Sequence, residues 1–546
     1  DIHDTNGGIS VAGGDRKTLT PGKHLVDNCH IHRYSRLSKT SVFAISLRGC
    51  GLTARHNLIH DAPHVAIGFH GNDHLIEFNE ICDVCQETSD AGVIYTGRNW
   101  SMRGNILRYN FIHDIVGIGG SGAQGIYLDD CFSSAEMIGN VFYRMNDLPF
   151  LLGGGRDNVI VNNVAIETGP LRIDSRGLGW AKRSAGPGGG LERSLKEMPY
   201  TEEPWASRYP KLVSILDDDP AVPKGNVVQR NVFVRTPGPK LDPPVREFGT
   251  VSDNWETEAD PGFIDAGAMD FRFRPDAAVF EHVPGFQDIP FGEIGLYRCA
   301  DRPVLPPITP VLVPAAGGFV GRQTVEIKTR SRDAVIHYTT DGSPPTRQSP
   351  RYAGPILLTD STTINAAAFS GNAAAGHRSS TLKAHYEAMH LDGDGGVPLS
   401  RLPMLSHSGY CEPKRDANMA AAPIELGGRT YQRGLFLHPG ETPDGGRGHA
   451  EFAMTGGLAD AERLKATVGI EESMRTRGTV VFIVEGRRAG TWQELLRTPV
   501  MVAGKPPRDI DVDVSGCDRV RLVVTDGGDN IHCDHAAWGD ARFTAR

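Results

Sequence analysis

Apolar and polar positions in the first half of the chain alternate in short bursts, and each burst opens on an asparagine. These are VDNCHIHRY at Asn28, RHNLIHDA at Asn57, EFNEICDV at Asn79 and RYNFIHDI at Asn110, then IGNVFYRM at Asn140, VNNVAIET at Asn163 and QRNVFVRT at Asn231. The intervals are 29, 22, 31, 30, 23 and 68 residues. Alternation with period two predicts strands. A second alternating run follows in most repeats: VFAISLRG, HVAIGFHG, AGVIYTGR, QGIYLDD and PFLLGGGR. Strand, Gly/Asn turn and strand at a recurring interval predicts a solenoid with a parallel β-helical core. Its coils stack about 4.8 Å apart. An Asn suits both the left-handed bend between strands and a hydrogen bond to its copy in the next coil. A propeller fits poorly, because four strands per blade need about 40 residues.

Between Gly177 and Gly225 the repeat gives way to a Gly/Pro-rich insertion, in which LERSLKEM and PKLVSIL predict short helices. Its aromatic residues Trp180, Tyr200, Trp205 and Tyr209 suit either stacking on sugar rings or packing of the insertion onto the helix. The stretch from Pro261 to Cys299 predicts a last irregular coil and cap. A Pro-rich linker, Asp301 to Pro314, then precedes the alternating runs TVEIKT, AVIHYTTDG, PILLT and TTINAAAFS, which predict a small β-sandwich. A second boundary falls at Leu391 to Pro403, followed by further β-rich runs such as TVVFIVEG and RVRLVVTDGG. The expected domains are 1–300, 305–387 and 405–546.

Composition narrows the partners. The 57 basic and 66 acidic residues leave a net charge of −9, which disfavours nucleic acid or an anionic membrane surface. No apolar run reaches the 18 residues of a membrane span. The 65 Gly and 36 Pro residues, without a collagen triplet, fit turn-rich β structure. Nine cysteines leave at least one unpaired within the chain; Cys82 and Cys85 form a lone CxxC, expected to be packed rather than redox-active or metal-binding. The opening DIHDTNGGIS has neither a basic nor an apolar leader region and looks like the middle of a repeat. The expectation is a chain that lacks its first coils and any signal peptide, and whose compartment follows from function.

Chemistry is expected where two loops coincide. Thr88–Gly92 leads into VIYTGRNW, and GIYLDD ends at Asp129 and Asp130 one coil later; Tyr95 and Tyr127 are 32 residues apart, close to the local repeat of 31. Asp90, Asp130 and Asp129 are therefore the catalytic candidates. Two carboxyls about 5 Å apart can act as acid and nucleophile on a glycosidic bond, and at about 6.5–9.5 Å as acid and water-activating base. Calcium is the competing explanation for the Asp129–Asp130 doublet. Tyr95, Arg98, Trp100, Tyr127, Trp180 and Trp205 are candidate substrate contacts, with Glu87, Asn99, Arg103, His113 and Asp114 nearby. His60 and His113 share one repeat position, which fits a structural His–Asp ladder. His64, His70 and His74 lack HExxH spacing, so no metal site is expected and no cofactor is required, calcium remaining a structural option. There is no GxSxG, P-loop or dinucleotide fingerprint on a strand–helix turn.

The stretches ETSDAGVIYTGRNWSMRGNILRYNFIHDI, GIYLDDCFSSAEMIGNVFY, LLGGGRDNVIVNN and RIDSRGLGW resemble the secreted right-handed parallel β-helix proteins of glycoside hydrolase family 141. The resemblance implies α-L-fucosidase- or xylanase-like hydrolysis of a plant or microbial polysaccharide, with the family's aspartate pair falling on Asp90 and on Asp130 or Asp129. Residues 305–387 resemble the chitobiase/β-hexosaminidase C-terminal sandwich through IHYTTDGSPPT and SPRYAGPILL. Residues 405–546 resemble the NPCBM module, a galactose-binding-like jelly roll, through IELGGRTYQRGLFLH, LKATVGIE and TDGGDNIHCDHAAWGDARF. That module implies binding or calcium-site roles for Asp526, Asp529, His535, Trp538 and Asp540, or a structural role for DHAAW in the closing strand. The leading expectation is thus a secreted or periplasmic glycosidase on a polymeric substrate. The alternatives are a polysaccharide lyase on the same fold, with Arg98 or Arg103 near the site, and a non-catalytic carbohydrate-binding β-helix.

Overall fold

The asparagine-led bursts form one sheet of nine parallel strands, from Ile2–His3 through Leu58–His60, Glu80–Cys82, Phe111–Ile115 and Val141–Met145 to Trp255–Thr257. The second runs form an eight-stranded parallel sheet, from Ile9–Gly13 through Ala91–Gly97, Ala123–Asp129 and Phe150–Gly153 to Lys240–Leu241. A third eight-stranded sheet, Leu25–Asp27 to Thr250–Ser252, closes each coil. These belong to a computed structural model that describes residues 1–118, 121–331, 334–371, 377–391, 396–411, 413–440, 446–475 and 477–545. The fold is all-β, with a parallel β-helix followed by β-sandwich modules. Registers stay in phase along the solenoid: Ile31, Ile59, Ile81, Ile112, Phe142, Ala165 and Phe233 stack as one buried column. Stacked apolar columns of this kind supply most of the driving force, at about 25 cal/mol per Å² of apolar surface buried.

The asparagines stack as well. Asn57 Nδ2 donates to Asn79 Oδ1 at 2.8 Å, and the bond repeats from Asn79 to Asn110, Asn110 to Asn140, Asn140 to Asn163, Asn163 to Asn231 and Asn231 to Asn254. Two details differ from the expectation. The left-handed residue is the one before each ladder Asn (His56, Phe78, Tyr109, Asn162, Arg230), so the Asn itself makes bonds and its neighbour makes the bend. Asn28 stands one place out of register: the backbone N–H of Cys29 bonds Asn57 Oδ1, while Asn28 occupies the left-handed position. Its amide instead exchanges hydrogen bonds with the backbone of Tyr297.

The segment 261–299 is not a further coil. It runs back along the solenoid, bonding Asn162 through Gln287, the Phe78 carbonyl through Gly295 and Asn28 through Tyr297, in that order. Phe271 and Phe291 pack edge-on against Phe111. The 177–225 insertion forms short helices at Lys182–Ala185, Gly190–Lys196, Trp205–Arg208 and Pro210–Val213. Leu191, Leu195, Trp205, Tyr209, Leu212 and Ile215 bury against Trp100 and Cys131 of the β-helix. All nine cysteines are free thiols. No described helix is long and apolar enough to cross a membrane.

Contacts divide the chain into two units, residues 1–266 with 270–305, and residues 306–546 with 267–269. The second contains two β-sandwiches. In the smaller, sheets of three and four strands from Val311–Val313 to Leu382–Met389 enclose Leu312, Phe319, Val325, Ile327, Ile364 and Tyr386. In the larger, two sheets between Ser406 and Thr544 enclose Phe452, Phe482, Val524, Trp538 and Phe543. Of the expected boundary at 391–403, residues 392–395 lie outside the described residues.

Candidate active site on the second sheet

Parallel pairing sets Tyr95 beside Tyr127 and Gly97 beside Asp129, and the same column continues through Gly153 to Asp174. The two glycines make the site possible. A Cβ on Gly97 would stand 2.6 Å from the Asp129 Cβ, and one on Gly153 would stand 2.5 Å from the guanidinium carbon of Arg176. Without those side chains, Arg176 lies across the sheet and reaches two coils back. It pairs with Asp174 at 2.7 Å, donates to Asp129 Oδ1 at 3.0 Å and to Asp130 Oδ1 at 3.1 Å. Arg98 closes the other side, with Nη2 at 2.9 Å from Asp129 Oδ2 and Nε at 2.7 Å from Asp130 Oδ2. The Tyr95 hydroxyl donates to Asp129 Oδ2 at 2.9 Å. Arg176 and Asp174 belong to this cluster and are absent from the residues picked by sequence. The sign that could have found them is RIDSR on the strand two coils beyond IYLDD.

Environment separates the two adjacent carboxyls. Burial, together with the charge of Asp130, pushes the Asp129 carboxyl above the usual range; its side chain is only 4% exposed. Burial also acts to raise Asp130, but hydrogen bonds from Arg98 and Arg176 outweigh it and hold Asp130 below the usual range. Two carboxyls split in this way favour one proton carrier and one fixed charge. Burial and the nearby Asp129 charge keep the Tyr95 phenol protonated.

Asp90 is exposed at the start of the neighbouring strand. The Tyr127 hydroxyl donates to its Oδ1 at 3.4 Å and receives Arg176 Nη1 at 3.5 Å. Because Arg176 Nη1 is also 3.0 Å from Asp129 Oδ1, Tyr127 and Arg176 link Asp90 to the Asp129 carboxyl. Trp180 is 72% exposed, with the Arg176 guanidinium 5.4 Å from its ring centre, and offers an open aromatic face beside the carboxyls.

Other picked residues lie elsewhere. Trp100 and Trp205 are fully buried in the packing between insertion and solenoid, and Trp205 donates to the carbonyls of Arg16 and Lys17. Neither can stack on a sugar; each fills the apolar seam that anchors the insertion. His113 is buried between Glu80 and Asp114, and Arg103 pairs with Asp157. Glu87 pairs with Lys39. In the larger sandwich Trp538 is also fully buried, in contact with Phe482, and is a core residue. Asp526 and Asp529 accept hydrogen bonds within their own turn, from Gly528 N and Asn530 N, while Asp540 pairs with Arg542. His535 packs edge-on against Phe436 and His438. Asp534 is buried beside them: its Oδ1 accepts from Thr479 N at 2.9 Å, and its Oδ2 has no partner among the described residues. Burial, with the Asp529 and Asp526 charges, pushes its carboxyl up to about 7.

Comparison with known proteins identifies the second unit by kind. Residues 395–544 match the family model described as NPCBM/NEW2 domain, and residues 314–381 match that described as chitobiase/beta-hexosaminidase C-terminal domain. Similar solved structures include the CBM51 of a Clostridium perfringens GH95 protein in complex with methyl-galactose, with 27% identity over 27% of this chain and 99% of that one and a TM-score of 0.24. They also include the CBM51-2 and INT domains of Clostridium perfringens ZmpB, at 20% identity over 34% of this chain and a TM-score of 0.23. The chain spans 37% of that ZmpB chain. The tandem CBM51 modules of Sp3GH98 from Streptococcus pneumoniae match at 14% identity over 39% of this chain and 72% of that one, with a TM-score of 0.23. No curated protein sequence matches significantly. The chain carries carbohydrate-binding and glycosidase-associated modules, which support a carbohydrate-active protein.

Proposed function

We propose that the β-helix hydrolyses a glycosidic bond of a plant or microbial polysaccharide, in the manner implied by its resemblance to glycoside hydrolase family 141. In this reading Asp129 carries the proton given to the leaving oxygen, and Asp90 is the facing carboxylate, as nucleophile or as base for water. Asp130, held ionised by Arg98 and Arg176, supplies the charge that keeps Asp129 protonated. Arg98, whose side chain is 64% exposed, swings aside to admit the sugar, and Trp180 stacks on a flanking ring. The chemistry requires no cofactor. Residues 305–387 act as an accessory module and 405–546 as the module that holds the polymer, raising its effective concentration at the site. Such a substrate places the protein outside the cytoplasm, secreted or periplasmic.

The observation that carries this reading is the opposite displacement of two adjacent carboxyls beside an exposed aromatic face. Its test is reducing-sugar release from a panel of fucosylated and xylan-type polysaccharides. Asp129→Asn and Asp90→Asn should each lower turnover by about two orders of magnitude or more with the melting temperature retained. Unchanged turnover in both, and in Asp130→Asn, defeats the reading.

One observation favours a second reading, a β-helix that binds carbohydrate without cutting it. Both oxygens of Asp129 are already engaged, by Arg176 and the Asp130 N–H on one side and by Tyr95 and Arg98 on the other. Retention of polysaccharide on an affinity gel with no product from any substrate in the panel selects it.

A further inference from the structure

Three coils from the start of the solenoid, the first sheet turns a run of imidazoles outward. His3, His32 and His60 share one register column, and His30 stands beside them in the next. Asp1 Oδ1 lies 3.6 Å from His30 Nδ1 and 3.2 Å from His32 Nε2. Among the described residues, Asp1, His30 and His32 are the one group of three or more His, Cys, Asp or Glu side chains whose ligand atoms all lie within 4.8 Å of one another.

The hydrogen bonds fix where the protons sit. His60 Nδ1 is 2.7 Å from Asp61 Oδ2, so Nδ1 carries the hydrogen. His60 Nε2 and His30 Nε2 lie 2.7 Å apart and share one hydrogen, and with His30 as the donor the His60 lone pair accepts it. His30 Nδ1 is left with a bare lone pair facing the Asp1 carboxylate. Two acceptors aimed at each other call for a cation between them. These two separations, 3.6 and 3.2 Å, lie close to the spacing of about 3.3 Å between ligands of a tetrahedral ion with bonds of about 2.0–2.1 Å. The His30–His60–Asp61 relay is the outer support that orients ligating imidazoles in metal sites.

We propose that Asp1 Oδ1, His30 Nδ1 and His32 Nε2 bind a borderline divalent transition metal, Zn²⁺ by the chemistry of two imidazoles and one carboxylate. Ligation moves the His32 proton to Nδ1, which now accepts from Arg33 Nη1 at 2.9 Å. Arg33 has to release that contact while its Nε and Nη2 stay on Asp4, each at 2.8 Å. Arg33 therefore competes with the metal.

The test is calorimetric titration of the chelator-stripped 546-residue chain with Zn²⁺ alone, with Co²⁺ absorbance reporting the geometry. The expected result is one ion per chain and a tetrahedral Co²⁺ spectrum. His30→Gln and His32→Gln should each weaken binding by at least about 100-fold, and Asp61→Asn by about 10–100-fold. Arg33→Gln, which leaves every ligand in place, should tighten it, and this variant decides the matter if a histidine variant does not fold. Absence of binding at 100 µM Zn²⁺ (roughly the weakest affinity that would count as a site), stoichiometric binding that survives the His30→Gln/His32→Gln double change, or no gain of affinity in Arg33→Gln overturns the proposal.

Discussion

Two flanks of the β-helix treat polar groups in opposite ways. Along the asparagine ladder one residue type recurs, and each amide is answered by the copy in the next coil. Along the column Gly97, Asp129, Gly153 and Asp174 the residue changes at every coil, and the charges converge on Arg176 instead of on copies of themselves. A ladder satisfies its members internally and has nothing left for a ligand. A column in which glycine alternates with aspartate makes space, and that space admits an arginine, a split pair of carboxyls and an open tryptophan. Repetition marks what holds the solenoid together, and interruption marks the column on which the proposed site is built.

Substitutions on the two flanks should separate these roles. The largest effect on stability is expected for Trp205→Ala, which empties a fully buried site and should cost about 3–5 kcal/mol in denaturant unfolding. Trp180→Ala, at the exposed face, should leave stability unchanged and raise KM; equal destabilisation by the two would erase the distinction. Asn110→Ala should cost about 1–3 kcal/mol, because it removes the acceptor of the Asn79 backbone N–H and of one Asn79 side-chain N–H, and the side-chain donor to the Ile76 carbonyl. Gly153→Ala should displace the Arg176 guanidinium and reduce turnover with little effect on the core, checked by kinetics alongside thermal melting. A separate effect concerns pH and belongs to the larger sandwich. The Asp534 carboxyl lies at about 7 folded against about 3.8 unfolded, so the folded state holds its proton more tightly. Stability from this group is full below about pH 4 and is lost as pH rises toward 7. Asp534→Asn should flatten that slope, and an unchanged slope would show that Asp534 is not its source.

Much of the β-helix was legible, because stacked strands impose one alternation on every coil. The third sheet was not: strands such as Thr53–Arg55 and Val159–Val161 bury only their central residue, too little to carry a period. Asn28 looked like a ladder member, and only pairing with the next coil shows that Cys29 holds the place. The return of 261–299 along the solenoid rests on bonds between residues more than a hundred positions apart, such as Asn162 with Gln287 and Asn28 with Tyr297, which leave no local pattern. At the site, IYTG over IYLDD brought Asp90, Asp129 and Asp130 into view, whereas Arg176 depends on the absence of side chains at Gly153. Trp100, Trp205 and Trp538 sit among glycines and polar residues in the chain, where a buried tryptophan and an exposed one look alike. The His30–His32 pair carries no HExxH spacing, since its two imidazoles lie two residues apart on one strand and Asp1 comes from the coil before.

The most direct test sets Asp129→Asn beside Asn110→Ala in one experiment that measures both turnover on the cleaved polysaccharide and melting temperature. A crossed result is expected: Asp129→Asn loses about two orders of magnitude of turnover and keeps its melting temperature, while Asn110→Ala loses melting temperature and, when folded, keeps its turnover. Full turnover in Asp129→Asn, or loss of both properties together in each variant, would contradict it.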